Sequence, residues 1–200
     1  MNIFEGWLVP FVEVGVNNLT STSLAVDVGA NVGEWSRALS EMFQDVIAIE
    51  PDERVSSRID TTTNVRLVQA AASSKDGVST LYMRPSAEQN SLLVQHPIGA
   101  GGCTLAPVVL EKEVETVCLD SVCPRGADFV KIDTEGNEVD ILSGCVSLSN
   151  WRRTMFVVEC HDTYDYVLIE LTRLGKSVVR VPHPVSGAHP GHCWAIGEPA

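Results

Sequence analysis

The sequence predicts an α/β protein with a doubly wound, mostly parallel sheet. Short apolar runs rich in Val and Ile alternate with stretches of helical spacing along most of the 200 residues, which is the pattern of successive βαβ units. Acidic residues follow several of these runs, and the carboxyl ends of parallel strands meet at one edge of a sheet. The last two runs, 178–181 and 193–196, are separated only by a loop rich in Pro, Gly and His. We expect them to form an antiparallel pair at the sheet edge.

The first half of the chain predicts a lead-in segment, three strands and two helices. Residues 1–20 are expected to pack on the core ahead of the first strand. Asp52 is predicted to be the N-cap of the second helix, because its side chain can accept a hydrogen bond from the first turn. The predicted strands are 24–28, 46–49 and 65–70, and the predicted helices are 33–43 and 54–60.

Two features follow the third strand. Asp76-Gly77 is a turn signal, from which we expect a hairpin between 65–71 and 78–83. Residues 84–112 contain three prolines and a Gly-rich run but no periodic pattern. A long irregular segment in a compact domain is more often a binding loop than filler, so we predict that 84–112 is a lid over a ligand. A mobile surface loop without contacts is the alternative.

The second half of the chain continues the alternation of strands and helices. The first of two predicted helices is expected to stop near Gly144, and Gly175 is the predicted C-cap of the second, a position that glycine prefers. The predicted strands before the final pair are 113–117, 129–133 and 155–159, and the predicted helices are 138–145 and 163–174.

Length and charge restrict the class of protein. A chain of 200 residues fits one domain, and we expect a single domain over 1–200. The formal net charge is −12, and the longest basic cluster is Arg152-Arg153, so nucleic acids and anionic membranes are disfavoured partners. No apolar run is long enough to span a bilayer, and the N-terminus lacks the basic region of a signal peptide. The six cysteines form no C-x-x-C pair, which predicts free thiols and a cytoplasmic protein.

The segment Asp27-Val-Gly-Ala-Asn-Val-Gly33, followed by Glu50, is the first functional signal. It predicts a buried strand, a glycine turn, a helix start and a second strand that ends in an acid. Gly29 permits a sharp turn and the close approach of a ligand. Free N–H groups at the helix that Gly33 opens favour the anionic end of a ligand. Glu50 is expected to accept hydrogen bonds from both hydroxyls of a ribose.

Asn31 and Asp27 narrow the class of nucleotide. A dinucleotide fingerprint has glycine where this chain has Asn31, so this residue obstructs a pyrophosphate. The carboxylate of Asp27, expected to point into the same pocket, repels phosphate and suits an ammonium group. Adenosine at one end and an amino acid at the other describe S-adenosylmethionine, which is the predicted cofactor. One alternative is a strand–turn–helix without a ligand. The other is an NAD-dependent dehydrogenase, against which Asn31 and Asp27 argue.

The segment 131–138, Lys-Ile-Asp-Thr-Glu-Gly-Asn-Glu, is the second functional signal. Asp133 ends a buried strand and Glu135 follows it. Glu159 and His161 end the neighbouring strand. Asp133 and Glu135 are predicted to accept the proton of a reacting hydroxyl or to orient it, although two carboxylates could instead hold a divalent cation. His161 is either a second candidate base or a histidine of the rim with a structural role.

Two other groups of polar residues are interpreted as structural. Glu138 lies in the first turn of a predicted helix, where an acid caps the helix and suits its dipole. His183, His189, His192 and Cys193 have ligand-type side chains but no zinc spacing, and are interpreted as a solvated loop. Because imidazole and thiol ligands are otherwise sparse at the rim, any metal there would be a hard ion bound through oxygen. We expect no metal ligands in the site and methyl transfer that does not depend on a metal.

The motifs resemble those of the FkbM family of methyltransferases over about 24–161. The resemblance implies the class I fold, a Rossmann-like sheet of seven strands, with S-adenosylmethionine as methyl donor and transfer of methyl to oxygen. It implies acceptors that are commonly sugar hydroxyls of glycolipids, polysaccharides and natural products, with Asp133 and Glu135 beside the donor methyl and the acceptor. The stretches that carry it are 27–33, 50–51, 116–120, 131–138 and 157–159.

The remaining site residues are predicted from this fold. The end of the third strand neighbours the ribose, so Ala71 is expected near the adenine. Asn90 and Ser91, in the position of an acceptor loop, are expected to bind the substrate together with Glu159. We therefore expect an O-methyltransferase that acts on a sugar of a glycan, a glycolipid or a glycosylated small molecule. The alternative is a catalytically silent module that binds S-adenosylmethionine within a larger, multidomain glycan-modifying protein.

Overall fold

The structure is a computed structural model that describes residues 9–94, 106–183 and 192–199. None of the helices in these ranges is long and apolar enough to cross a membrane. The strands are β1 (Leu24–Val28), β2 (Asp45–Ile49), β3 (Val65–Val68), β4 (Ala71–Ala72), β5 (Gly77–Met83), β6 (Leu110–Val117), β7 (Phe129–Ile132), β8 (Met155–His161), β9 (Lys176–Pro182) and β10 (His192–Pro199). The helices are α1 (Val9–Asn17), α2 (Glu34–Ser40), α3 (Glu53–Ser56), α4 (Leu119–Val122), α5 (Glu138–Ser143), α6 (Leu148–Trp151) and α7 (Tyr164–Arg173).

Seven strands form the central sheet, in the order β3-β2-β1-β7-β8-β10-β9. Strands β3 to β8 of this order pair in parallel, whereas β10 is antiparallel to both of its neighbours, β8 and β9. This confirms the predicted doubly wound sheet with an antiparallel pair at its edge. The strand order reverses between β1 and β7, and ligands of such sheets bind outside the strand carboxyl ends at this point.

Apolar side chains on both faces of the sheet form the core. Val26 and Ile132 belong to the face that also includes residues of α5 and α7. Ala25 and Phe129 belong to the opposite face, with residues of α2. Because both faces are covered, the central strands are continuous apolar runs without alternation, which is why the sequence revealed them. Helix α1 contributes buried valines to the second face, and residues 1–8 of the predicted lead-in lie outside the described residues.

The predicted hairpin across Asp76-Gly77 is wrong. Strand β5 pairs antiparallel with β6, and β6 also pairs in parallel with the short β4, which makes a second sheet of three strands. The turn signal correctly indicated that the chain reverses at Asp76-Gly77. It did not indicate the pairing partner of β5, which is β6 and lies after the long irregular segment. Strand β6 is also longer than predicted, so residues 110–112 of the predicted lid belong to a strand.

A buried arginine organises the segment that follows β5. Arg84 is fully buried, and its guanidinium donates hydrogen bonds to main-chain carbonyl oxygens on both sides of the lid. These acceptors belong to Tyr82, Gln89, Leu93, Val94 and Ala106. One side chain therefore joins 82–94 to residue 106. The intervening part of the predicted lid, 95–105, lies outside the described residues.

Replacing Arg84 by Met is expected to destabilise the folded protein by about 3 kcal/mol or more. Methionine keeps the aliphatic stem, but several buried carbonyl groups lose their donors, and each unsatisfied group costs about 1–3 kcal/mol. Urea unfolding measures the difference. The matched control, Arg58→Met, removes an exposed guanidinium and should change the free energy of unfolding by less than about 0.5 kcal/mol. Equal losses in the two variants would contradict the organising role of Arg84.

Candidate functional site

A cavity of about 470 Å³ opens at the carboxyl edge of the central sheet, which is the size of a small-molecule site. Residues that follow β1, β2 and β7 line it, together with the end of β8 and part of the segment 87–92. The cavity therefore lies at the reversal of strand order between β1 and β7. Position in the fold and size both make it the candidate site.

Glu50 follows β2 and lines the cavity, and each oxygen of its carboxylate accepts one hydrogen bond from the main chain. Its Oε2 accepts the N–H of Asn31 at 2.9 Å, and its Oε1 accepts the N–H of Asp52 at 2.8 Å. Burial raises the pKa of Glu50 to about 7, against the opposing effect of these hydrogen bonds. Each carboxylate oxygen has a second acceptor position, so the group is suited to the two hydroxyls of a ribose. Ala71 lines the same cavity, and its contact with adenine stays a prediction.

The turn after β1 depends on residues in the left-handed region. Gly29 has φ +71°, and a Cβ at this position would meet the carbonyl oxygen of Asp133 at 1.8 Å. The close packing of the turn after β1 against Asp133, which follows β7, therefore requires glycine at position 29 independently of any ligand. Asn31, with φ +48°, lines the cavity, and asparagine tolerates this conformation better than most residues.

Gly33 has a different role from the predicted one. It precedes α2 with φ +83°, and its N–H donates to the carbonyl of Ala30 at 2.8 Å. A Cβ at this position would lie 3.1 Å from Ile59, and Gly33 is not part of the cavity wall. This corrects the expectation that Gly33 contacts the ligand, because its backbone is used to turn the chain into the helix.

Asp27 does not face the cavity, which corrects its predicted contact with an ammonium group. It is fully buried. Its Oδ2 accepts the O–H of Ser36 at 2.6 Å, and its Oδ1 lies 3.3 Å from Nζ of Lys131. The same Nζ donates to the carbonyl of Gly29 at 2.9 Å and lies 3.7 Å from Oδ2 of Asp133. Asp27 therefore balances the charge of a buried lysine beneath the turn.

Lys131 is a site residue that the sequence analysis missed. It lines the cavity, and it is the register partner of Asp27 on the neighbouring parallel strand. The available signal was a charged residue within each of two otherwise apolar strands, since buried charges occur in pairs.

Asp133 and Glu135 meet His161 where β7 and β8 end, as predicted. Nε2 of His161 lies 3.6 Å from Oε1 of Glu135 and 3.9 Å from Oδ1 of Asp133. Burial raises the pKa of Glu135 to about 7. Burial alone lowers the pKa of His161, but Glu135 and Glu138 outweigh it and raise that pKa well above its ordinary value. Glu135 also has φ +54°, a strained conformation typical of functional sites.

Glu138 holds His161 in place, so the capping interpretation is incomplete. Its fully buried carboxylate accepts the N–H of Gly136 at 2.7 Å, just before α5. It also accepts the O–H of Thr163 at 2.9 Å and lies 3.1 Å from Nδ1 of His161. One side chain therefore connects the β7 loop, α5 and the end of β8.

Asn90 and Ser91 line the cavity, but their polar groups are used within the protein. The amide of Asn90 accepts the N–H of Arg84 at 2.8 Å and donates to Asp52 at 2.7 Å. The hydroxyl of Ser91 donates to the carbonyl of Glu135 at 2.8 Å. Their direct contact with substrate stays a prediction. They tie the segment 84–94 to the loop after β2 and to the loop after β7.

The C-terminal histidines also differ from prediction. His183 and His192 line the cavity, with ring centroids 4.4 Å apart and nearly parallel planes. Nε2 of His192 lies 2.5 Å from Oε1 of Glu159, which places this predicted substrate residue in the cavity wall. The solvated-loop interpretation is therefore wrong for these two histidines, and so is the premise that imidazoles are sparse at the rim. His189 lies outside the described residues.

The sheet order and the acid after β2 define the fold class of the methyltransferases of class I. Similar solved structures agree in fold. An FkbM methyltransferase from Methylobacillus flagellatus KT is 15% identical, with a TM-score of 0.54, and the match covers 88% of this chain and 43% of that chain. A Streptococcus mutans protein described as a putative methyltransferase in complex with SAH is 10% identical, with a TM-score of 0.55, and the match covers 95% of this chain and 96% of that chain. A precorrin-6y C5,15-methyltransferase from Geobacter metallireducens GS-15 is a third (14%, 0.51, 98% and 90%). The chain spans less than half of the Methylobacillus protein.

The family model described as the methyltransferase FkbM domain matches residues 27–177. The chain therefore belongs to the FkbM methyltransferase family, and S-adenosylmethionine is its cofactor. No curated protein matches the chain.

Gly29→Ala is expected to cost more stability than Gly175→Ala. Both glycines have nearly the same φ, +71° and +74°, but nothing lies within 4 Å of a Cβ at Gly175. The control therefore carries the backbone strain alone, about 1 kcal/mol, whereas Gly29→Ala must also separate β1 from the carbonyl of Asp133. Denaturant unfolding of both variants measures the difference. Equal losses would show that the close contact with β7 is unimportant.

Proposed function

We propose that the protein is an O-methyltransferase whose acceptor is a sugar hydroxyl, in a glycan, a glycolipid or a glycosylated small molecule. The observation that carries the proposal is the convergence of Asp133 and Glu135 on His161 in the wall of the cavity. Glu50 follows β2, which is separated from β7 by β1 in the sheet, and adjacent strands are about 4.8 Å apart. The two groups are therefore separated by roughly 10 Å along one cavity, which suits a donor bound beside its acceptor.

The cavity fits the cofactor in chemistry as well as in size. Glu50 retains two acceptor positions for ribose hydroxyls, and Asn31 occupies the place that a pyrophosphate would need. S-adenosylmethionine, when bound, supplies an activated methyl group on a sulfonium. The side chains therefore have to align the acceptor oxygen and remove its proton.

The acidic groups of the second cluster suit proton removal from a hydroxyl. Glu135 has a pKa of about 7 because of its burial, and a general base works best when its pKa is close to the working pH. Asp133 is more exposed and is placed to accept a hydrogen bond from the same acceptor. His161, with its raised pKa, acts in this scheme as a cation that orients the two carboxylates.

The charge of the cavity favours a neutral acceptor with several hydroxyls. Carboxylates of Asp133, Glu135 and Glu159 accept hydrogen bonds from hydroxyl groups and repel phosphates and other anions. The formal charge of −12 acts in the same direction over longer range. These features support a sugar acceptor over a nucleic acid.

The segment 84–94 is proposed to act as one side of the acceptor lid. Asn90 and Ser91 attach it to the loops that carry Asp52 and Glu135. A lid that is joined both to the loop after β2, beside the proposed donor, and to the loop after β7, beside the proposed acceptor, can exclude water from the sulfonium while it positions the acceptor.

Binding of S-adenosylmethionine is expected to weaken at low pH through Glu50. This carboxyl has a pKa of about 7, so it is mostly ionised at pH 8 and mostly protonated at pH 6, where it loses acceptor strength. Glu50→Gln should raise the Kd about tenfold at pH 8, equivalent to about 1.4 kcal/mol, and should flatten the pH dependence. Isothermal titration at both pH values tests this. Glu53→Gln, an exposed acid nearby, is the control that should keep the wild-type profile.

Asp133→Asn and Glu135→Gln are each expected to reduce kcat by about 10²–10⁴-fold, the usual contribution of a general base. The amides nearly conserve shape, so the Kd of the donor should change by only a few-fold. Methyl transfer from labelled donor to a panel of sugars measures kcat, with the exposed Asp165→Asn as control. Wild-type kcat in both variants would refute the base assignment, and donor binding without turnover would favour the catalytically silent module.

A further inference from the structure

A second arrangement of ligand-type groups lies at the end of β8 and the start of β10. Glu159, His161 and His192 each direct one carboxylate oxygen or imidazole nitrogen to within 4.8 Å of the others. The antiparallel register causes this, because His192 is opposite His161 and Trp194 is opposite Glu159. Strand pairing, rather than sequence spacing, brings the three residues together.

The two ring nitrogens of His161 face different carboxylates. Nδ1 lies 3.1 Å from the buried carboxylate of Glu138, so Nε2 is the atom that points toward Glu135 and Asp133. A histidine that binds a metal commonly donates its other ring N–H to a carboxylate, which fixes the orientation of the ring. Glu138, fixed in turn by Gly136 and Thr163, meets this requirement.

We propose that Glu159, His161 and His192 bind one divalent transition-metal ion, with Glu138 orienting His161. Two imidazoles and one carboxylate favour first-row transition metals such as Fe²⁺, Co²⁺ or Zn²⁺ over Mg²⁺, which prefers oxygen ligands alone. The ion displaces the proton from Nε2 of His161, and its charge takes the place of the imidazolium charge beside the surrounding carboxylates. Ligand atoms of such ions lie about 2.0–2.2 Å from the metal, so small side-chain rotations are sufficient to complete the site.

Three protein ligands leave positions at the metal for an oxygen of the acceptor. This consequence rests on the proposed function, since it assigns the open positions to a hydroxyl of the methyl acceptor. A bound cation lowers the pKa of a coordinated hydroxyl, and the carboxylates of Asp133 and Glu135, which lie 3.9 Å and 3.6 Å from the same Nε2 of His161, are close enough to receive its proton. The metal site itself does not depend on this use.

The stacked pair His183 and His192 provides a matched test. His183 lies outside the three-residue set, and its Nε2 is 3.9 Å from Oε1 of Glu159. Substitution by Phe conserves an aromatic ring at either position and removes the nitrogens. Metal-free protein is titrated with Co²⁺, which reports its ligands through visible absorption, and calorimetry gives stoichiometry and Kd.

Wild-type protein should bind one Co²⁺ with an absorption typical of nitrogen and oxygen ligands. His192→Phe should weaken binding at least tenfold, whereas His183→Phe should stay within about threefold. Glu159→Gln replaces His192→Phe if thermal melting shows that the latter is unfolded. The proposal is overturned if wild-type protein binds no Co²⁺, if the two Phe variants bind equally, or if Mg²⁺ competes at equal concentration. Co²⁺ binding without methyl transfer to sugars would refute the proposed function alone.

Discussion

The ion pair between Lys131 and Asp27 at the centre of the sheet is the interaction on which the site depends. The two residues are register partners on β1 and β7, the strands between which the order of the sheet reverses. Both are almost fully buried, and removing one partner of such a pair leaves a charge that typically costs about 3–5 kcal/mol. Because the ammonium also binds the carbonyl of Gly29 and approaches Asp133, the pair holds the turn after β1 against the loop after β7.

The parts of the cavity around Glu50 and around Glu135 have similar electrostatics. Each has a glutamate whose pKa burial raises to about 7, Glu50 beside the turn and Glu135 beside His161. Two main-chain N–H groups donate to Glu50, and Nε2 of His161 lies 3.6 Å from Glu135. Lys131 and His161 supply the cationic counterparts within the protein. The cavity is therefore an acidic site in which cations separate and orient the carboxylates.

The similar structures separate what the fold determines from what the side chains determine. The Geobacter protein, described as a precorrin-6y C5,15-methyltransferase, is similar in fold at 14% identity. Similarity at this level shows the fold alone, so what distinguishes this chain is the set of side chains around its cavity. These side chains come in part from the ends of β7 and β8, from the start of β10 and from the segment that Arg84 organises.

The sequence alone determined the central sheet and the first layer of the site. Buried parallel strands are continuous apolar runs, and the acids that follow them must meet at one edge, so strand order along the chain is sufficient to place Glu50, Asp133 and Glu135 there. The family and its cofactor followed from motifs that are contiguous in the chain, and the family match confirmed them.

Only the tertiary structure decided which polar groups reach the cavity. Asp27 is adjacent to the donor turn in sequence, yet its register with Lys131 turns it inward. Asn90 and Ser91 had the right chemistry, but their hydrogen bonds are used by Asp52 and Glu135. His183 and His192, separated from the motifs by a loop, reach the site through the antiparallel pairing of β9 and β10. Pairing between distant strands and competition for hydrogen bonds are properties of the folded chain, and no local pattern encodes them.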